Sequence, residues 1–298
     1  MSSRNLFYTY LLLITSMIFW ALSFIWYKEA YIYYKPLSLV FLRLFISSIL
    51  LFTIAIASRS LKFIRKNNIK DFLLLALCEP FFYFLGESYG IQYIPSPLAS
   101  LIVSFIPLFA SIAAWLFFKE KLSIFNITGI IISIAGILFV IFNKGLSTNI
   151  SFKGVLLMFV AVISATGYSL MVKKVSEKYN SITVVVWQNI FGALYFIPLV
   201  FIFEYNHIIN ISFNYHSIKP LLKLAIFASS LAFIFFTFAI KRIGIAKATV
   251  FTNLIPILTS IFAFFMLSES FNNAKLIGIA LVITGLYISQ IKKNKAIQ

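Results

Sequence analysis

Apolar runs of about twenty residues recur along this chain, separated by short polar breaks, and a helix needs about 20 mostly apolar residues to cross the hydrocarbon core of a bilayer. On that spacing the pattern predicts ten helices: 7–27, 37–57, 71–90, 96–118 and 124–142, then 153–172, 182–203, 220–240, 246–267 and 274–290. The longest polar break, about 204–219, is too short for an extramembrane domain. No small-x-small cleavage pattern follows the first run, which therefore reads as a span and not as a removable signal. The expected fold class is an all-α integral membrane protein.

The pattern also repeats. Shifted by 149 residues without a gap, thirteen of the positions 91–140 match 240–289 identically. The informative matches are the scarce types: Ala99/Ala248, Pro107/Pro256, Ser111/Ser260, Glu120/Glu269, Gly129/Gly278 and Gly136/Gly285. A weaker register, offset by 145, pairs Lys28 with Lys173 and Arg43 with Gln188. Two five-helix units follow, 1–145 and 146–298, within a single membrane domain. Duplication of a hydrophobic unit is a route to transporters whose substrate site lies between the halves.

Composition sharpens the class. Hydrophobic residues make up 61% of the chain and charged residues 11%, less than half the share of about 25% that a soluble domain carries. The net charge of +17 does not point to nucleic acid, because the basic residues sit at the ends of apolar runs and not along one face. With the N-terminus inside, 17 Lys and Arg fall on the inner side and seven on the outer, with Arg43 within a span. The positive-inside rule then puts both termini in the cytoplasm of a cell whose inner membrane holds the protein. Five spans per unit is an odd number, so the units are inverted with respect to each other. A rotation of about 180° in the membrane plane should superpose 91–140 on 240–289. The lone Cys78 sits in an apolar run, and His207 and His216 share one polar connector without an acidic cluster, so no metal or cofactor site is expected.

The segment Gly90–Ala99 with Pro95 and Pro97, then Phe105-Ile106-Pro107, Phe118-Lys119-Glu120-Lys121-Leu122 and Gly129 with Gly136, resembles the EamA-type unit of the drug/metabolite transporter superfamily. The second unit repeats it with Ile243–Ala248, Leu254-Ile255-Pro256, Leu267-Ser268-Glu269 and Gly278 with Gly285, and Phe19–Ser23 with Arg43 looks like that family's opening signature. The resemblance covers nearly the whole chain. It implies ten helices, inverted repeats and export or exchange of small organic solutes. Gln188 in the place of Arg43 departs from the pattern, so the halves are not chemically equivalent.

Candidate residues follow from depth and face. An ionisable side chain within the bilayer costs at least about 2.5–3.5 kcal/mol on insertion scales and is a functional candidate by default. Three qualify: Arg43, Glu79 and Glu87. Glu79, Tyr83 and Glu87 recur every four residues and share a helix face. At 1.5 Å per residue Glu79 lies roughly 12 Å beyond Asp71, near mid-membrane. Glu87 and Arg43 lie nearer the outer edge, where they can pair and leave Glu79 as the unpaired carboxyl. Pro80 frees the carbonyl of Ala76 beside it. The second unit has Ala228, Ala232 and Phe236 at the equivalent positions, an asymmetry that favours substrate or proton binding over architecture. A neutral, hydrogen-bonded core residue is the competing reading of Glu79.

Ser100, Ser104, Pro107 and Ser111 share a face, echoed by Thr249, Asn253, Pro256 and Ser260. Close packing by small residues and a two-fold-related polar lining both account for that face; as lining, Ser104 and Asn253 come first and both prolines face the cavity. Gly129, Ser133, Gly136, Gly278 and Gly285 read as helix packing, and Glu120 and Glu269 as helix-end anchors. Trp26, Tyr27, Tyr31, Tyr33 and Tyr34 read as an interfacial belt. Trp20, deeper and on the face of Ser23, can form a cage with Tyr83 and Tyr168 for a cationic or aromatic solute. The expected partners are a small-molecule solute, the lipid bilayer and coupling protons; monomer and homodimer are both open. The reading is a secondary active transporter of a small organic metabolite, an amino acid or related solute. Uptake of a cationic amine, a channel and a membrane enzyme acting on lipids are the alternatives; no HExxH or GxSxG motif supports the last.

Overall fold

The computed structural model describes residues 3–109, 113, 124–142, 151–244, 248–249, 251–268 and 273–289. Every regular element among them is helical. Helix α1 is Ser3–Ala30 and α2 is Pro36–Ala57; α3, Ile69–Ala76, passes through a π-helical stretch, Leu77–Phe82, into α4, Tyr83–Tyr93. Then come α5, Ser96–Val103, and α6, Ile124–Phe142. The second half contains α7 (Phe152–Ser176), α8 (Ser181–Phe203), the short α9 (Tyr205–Ile209) and α10 (Tyr215–Lys223). A second π-helical stretch, Leu224–Leu231, joins α10 to α11 (Ala232–Ile243), followed by α12 (Leu254–Leu267) and α13 (Asn273–Ser289). Glu120, Ser111 and Glu269 lie outside the described residues.

Local chemistry sets the boundaries. Pro36 opens α2, where its missing N–H costs nothing. Asn180 caps α8 by accepting from the Thr183 amide at 2.8 Å, and Asn214 and Ser217 form a reciprocal capping box at α10. Gly244, at φ +84°, ends α11 in a conformation that side chains rarely adopt. Five helical segments are long and apolar enough to cross a membrane: Asn5–Ala30, Pro36–Ala57, Phe152–Ser176, Ser181–Phe203 and Tyr215–Ile243. Ser96–Phe109, Phe251–Leu267 and two others are apolar but shorter. Large apolar side chains such as Phe265, Phe152 and Ile202 are at least 70% exposed on the outside, where lipid replaces water as the favourable neighbour.

Helix contacts come in exchanged pairs. The α4·α7 packing has its counterpart in α1·α11, and α5·α7 in α1·α12, while α2·α8, α5·α12 and α6·α13 map onto themselves. That is the signature of two halves related by an approximate two-fold axis, in which a contact between i and j implies one between their equivalents. Individual atoms obey it. A Cβ at Gly136 would stand 3.0 Å from the Gly278 carbonyl, and one at Gly285 would stand 2.6 Å from the Gly129 carbonyl. In the second register, Ser47 meets Asn189 at 2.7 Å while Leu44 lies against Gly192, and each residue is 145 from the other's partner. The glycines therefore serve packing, as their spacing predicts.

Candidate functional site

Where the halves meet, α1, α2, the α3–α4 unit, α5, α7, α11, Thr249, Thr252 and Ile255 line a cavity. Its aromatic wall is built around Phe233. Trp20 stands edge-on to Phe233 and Phe236, with ring centroids 5.2 and 4.9 Å away. Tyr168 and Phe84 also meet Phe233 edge-on, at 6.0 and 6.4 Å. Edge-to-face contacts of this kind fix ring orientation.

The polar wall holds Arg43, Glu79 and Glu87 together with Ser23 and Tyr83. Glu79 sits at the break between α3 and α4, where its own backbone leaves the helix (φ −145°, ψ 117°). Pro80 cannot donate to the preceding turn, so the chain opens there, and π-type interruptions of this kind are frequent at functional sites. The Glu79 side chain is 6% exposed, lines the cavity, and accepts no hydrogen bond from any described residue. Because of the break, Glu79 does not continue the helical face of Tyr83 and Glu87. Those two remain one turn apart on α4, with the Tyr83 hydroxyl donating to Glu87 Oε1 at 3.0 Å.

Arg43 and Glu87 do not form the direct ion pair expected of them. The guanidinium, 1% exposed, donates from Nη1 to the Tyr27 hydroxyl at 2.6 Å and from Nε to Ser229 Oγ at 2.7 Å. Its plane covers the Phe84 ring at 4.3 Å. Glu87 lies close enough for its charge to act on both Arg43 and Tyr27, so the two opposite charges stand near each other with the Tyr27 hydroxyl beside them. Tyr27, read as part of an interfacial belt, is fully buried, and Trp26 and Tyr34 are nearly so.

Ser104, Asn253, Pro107 and Pro256 do not line the cavity either. From their segments it is Val103, Ile106, Thr249, Thr252 and Ile255 that do. The helix is interrupted at 104–105 and tightened to a 3-10 turn over Phe251–Asn253, so a face extrapolated at four-residue spacing rotates away before it reaches the prolines. Ser104 Oγ turns back to the Leu101 carbonyl at 2.6 Å. Of the other expected residues, Trp20, Ser23, Tyr83, Glu87, Tyr168 and Glu79 all line the cavity, and Tyr168 donates to Gln188 Oε1 at 3.3 Å.

One cluster went unread in the sequence. Ser47 and Ser230 share a hydrogen bond at 2.6 Å, and Asn189 Nδ2 donates to Ser47 Oγ at 2.7 Å and to the Ser229 carbonyl at 2.9 Å. This network ties α2, α8 and the second π-helical stretch together behind Arg43. The adjacent polar pairs Ser47-Ser48, Gln188-Asn189 and Ser229-Ser230 inside apolar runs were the available signal.

The pattern that defines the EamA-like transporter family matches residues 7–142 and again 152–290. A protein of Archaeoglobus fulgidus described as an uncharacterized transporter is 26% identical over 290 residues, covering 96% of this chain and 99% of its own length. The uncharacterized transporter YoaV of Bacillus subtilis is 24% identical, covering 93% of this chain and 94% of its own. A WAT1-related chloroplastic protein of Arabidopsis thaliana is 26% identical over 67% of this chain and 49% of its own length. One solved crystal structure superposes with a TM-score of 0.70 at 15% identity, covering 94% of this chain and 97% of that one, a likeness of fold alone.

Proposed function

The chain belongs to the EamA-like transporter family, and from that membership we propose that this multi-pass membrane transporter is a secondary carrier that moves a small organic solute through the central cavity by alternating access. The two units, 1–145 and 146–298, act as inverted five-helix halves of a ten-helix bundle in the cytoplasmic membrane, with both termini inside. The seventeen-to-seven distribution of Lys and Arg supports that orientation. The exchanged helix contacts support rocking of the halves about the cavity between them.

One observation carries the reading: Glu79, a carboxyl 6% exposed, faces the cavity without a donor from any described residue. A buried charge without a partner is costly. Glu79 therefore holds either a proton or a cationic group of the solute, and exchanging the two couples transport to the proton gradient. Glu87 and Arg43, opposite charges near each other with Tyr27 on the guanidinium, form the fixed part of the site, and Trp20, Tyr168, Phe233 and Phe236 receive the body of the solute.

Flux of labelled solute in proteoliposomes with an imposed pH gradient tests this. Glu79→Gln keeps the shape and removes titration, so it should insert normally and lose gradient-driven flux by at least about tenfold, a barrier change of about 1.4 kcal/mol. Unchanged flux with unchanged pH dependence would make this carboxyl structural.

A further inference from the structure

We infer that the cavity accepts a monovalent organic cation with an apolar or aromatic body, and rejects the zwitterion and the anion built on the same body. The inference rests on the cavity being the transport site, as proposed above, and adds the charge class of its guest. Arg43 is the only cationic side chain among the described lining residues. Its Nε and Nη1 donors are committed to Ser229 and Tyr27, and Phe84 covers one face of the guanidinium. Its charge is set against Glu87, which accepts from the Tyr83 hydroxyl. Two opposite charges thus compensate each other at the outer side of the cavity.

Glu79 remains, buried and without a donor. An ammonium group supplies its missing counter-ion, and the ring faces of Trp20, Tyr168 and Phe233 attract the same positive charge. An amino acid brings a carboxylate as well, a negative charge in excess of the single Arg43 that is already set against Glu87, and an uncompensated charge is costly in a low-dielectric space. A carboxylic acid brings only the carboxylate: it offers Glu79 no counter-ion to replace its proton and adds a negative charge that Arg43, set against Glu87, does not balance. Specificity of this sort comes from the repulsive element as much as from the attractive one.

Three probes share a phenyl body and differ in charge: phenethylamine, phenylalanine and 3-phenylpropionate. Thermal unfolding of the purified full chain near pH 7.5 should show a saturable rise of a few degrees with phenethylamine, because binding to the folded state raises apparent stability. Phenylalanine and 3-phenylpropionate should give no rise at the same millimolar concentrations. Glu79→Gln, its own melting curve showing that it folds, should lose at least tenfold in phenethylamine affinity. A larger shift with phenylalanine or 3-phenylpropionate overturns the inference, as does no shift with phenethylamine. Neither result touches the transport reading, which fails separately if phenethylamine binds through Glu79 and is not carried across proteoliposomes by a pH gradient.

Discussion

The hydroxyl of Ser133 on α6 donates to the carbonyl of Val282 on α13 at 3.3 Å, and these two residues stand 149 apart, the offset that aligns the halves of the sequence. A residue that touches its own equivalent lies on the two-fold axis relating the copies. The flanking glycines sit symmetrically about it. A Cβ at Gly285 would approach Ser133 Oγ to 2.4 Å and the Gly129 carbonyl to 2.6 Å, and one at Gly136 would meet the Val282 amide at 2.9 Å. Backbone cannot yield as a flexible side chain can. Gly136→Ala and Gly285→Ala should therefore each lower the melting temperature in detergent, with a cost of about 1–3 kcal/mol from overpacking. The double substitution should cost less than the sum, since either one alone forces the same helices apart. Unaltered melting in both single variants would mean that the glycines are not in tight packing.

The charges beside Tyr27 make a separate claim. Removing one member of a buried charge pair leaves the other uncompensated, so Arg43→Gln and Glu87→Gln should each destabilise the protein. The double variant should recover about 1–3 kcal/mol relative to their sum. In a Tyr27→Phe background that coupling should shrink, because the hydroxyl that holds the guanidinium beside Glu87 is gone. Arg43→Lys should not substitute for arginine: it keeps the charge but lacks the planar fork whose separate nitrogens reach Tyr27 and Ser229 while the guanidinium carbon sits over Phe84. Coupling that persists undiminished without the Tyr27 hydroxyl would place the two charges in direct contact after all.

Much of this architecture was legible in the chain because the bilayer imposes simple rules. Apolar runs mark helices, scarce residue types at a fixed offset mark duplication, and a carboxyl in an apolar run marks a site; Glu79 was found by the last rule and lines the cavity. What failed was extrapolation along an ideal helix. The assignment of Ser104 and Asn253 to the lining assumed unbroken 3.6-residue turns, and the turn at 104–105 and the 3-10 turn at Phe251–Asn253 hand the lining to Thr249 and Thr252. The pairing of Arg43 with Glu87 assumed that equal depth means contact, whereas the guanidinium donates to Tyr27 and Ser229 and Glu87 accepts from Tyr83. Interactions such as Arg43 with Ser229, 186 residues apart, leave no periodic trace and appear only when the halves pack.

The two ends of the α2·α8 pair supply the last prediction. At one end the loop after α2 is held by α8: Asn180 Nδ2 and Thr183 Oγ1 donate to the Ser60 carbonyl at 2.7 and 3.1 Å, and Trp187 Nε1 donates to the Lys62 carbonyl at 3.1 Å. At the other end the segment after α8 holds the start of α2. Glu204, 7% exposed, accepts from the Ser38 amide and hydroxyl, both at 2.7 Å, and from the Leu37 amide at 3.2 Å. His207 Nε2 accepts from the Lys35 amide at 3.0 Å. The first latch contains nothing that titrates near neutrality; the second does. Burial, helped by Lys35 and opposed by Glu204, holds the His207 imidazole below its usual pKa. The unfolded chain therefore takes up this proton first as pH falls. The contribution to stability is complete above the unfolded value of about 6.5 and is lost as pH falls through the lower folded value. Protonation turns the accepting Nε2 into a donor and removes the bond from Lys35. Melting temperature should drop between pH 7.5 and pH 5 in the wild type, less so in His207→Gln, whose amide oxygen accepts without titrating, and by the full amount in His216→Gln. Glu204→Gln should lower it at every pH, since hydrogen bonds to a charged acceptor are worth about 1.5–3 kcal/mol. An acid-induced drop that survives intact in His207→Gln would assign the pH response to other groups.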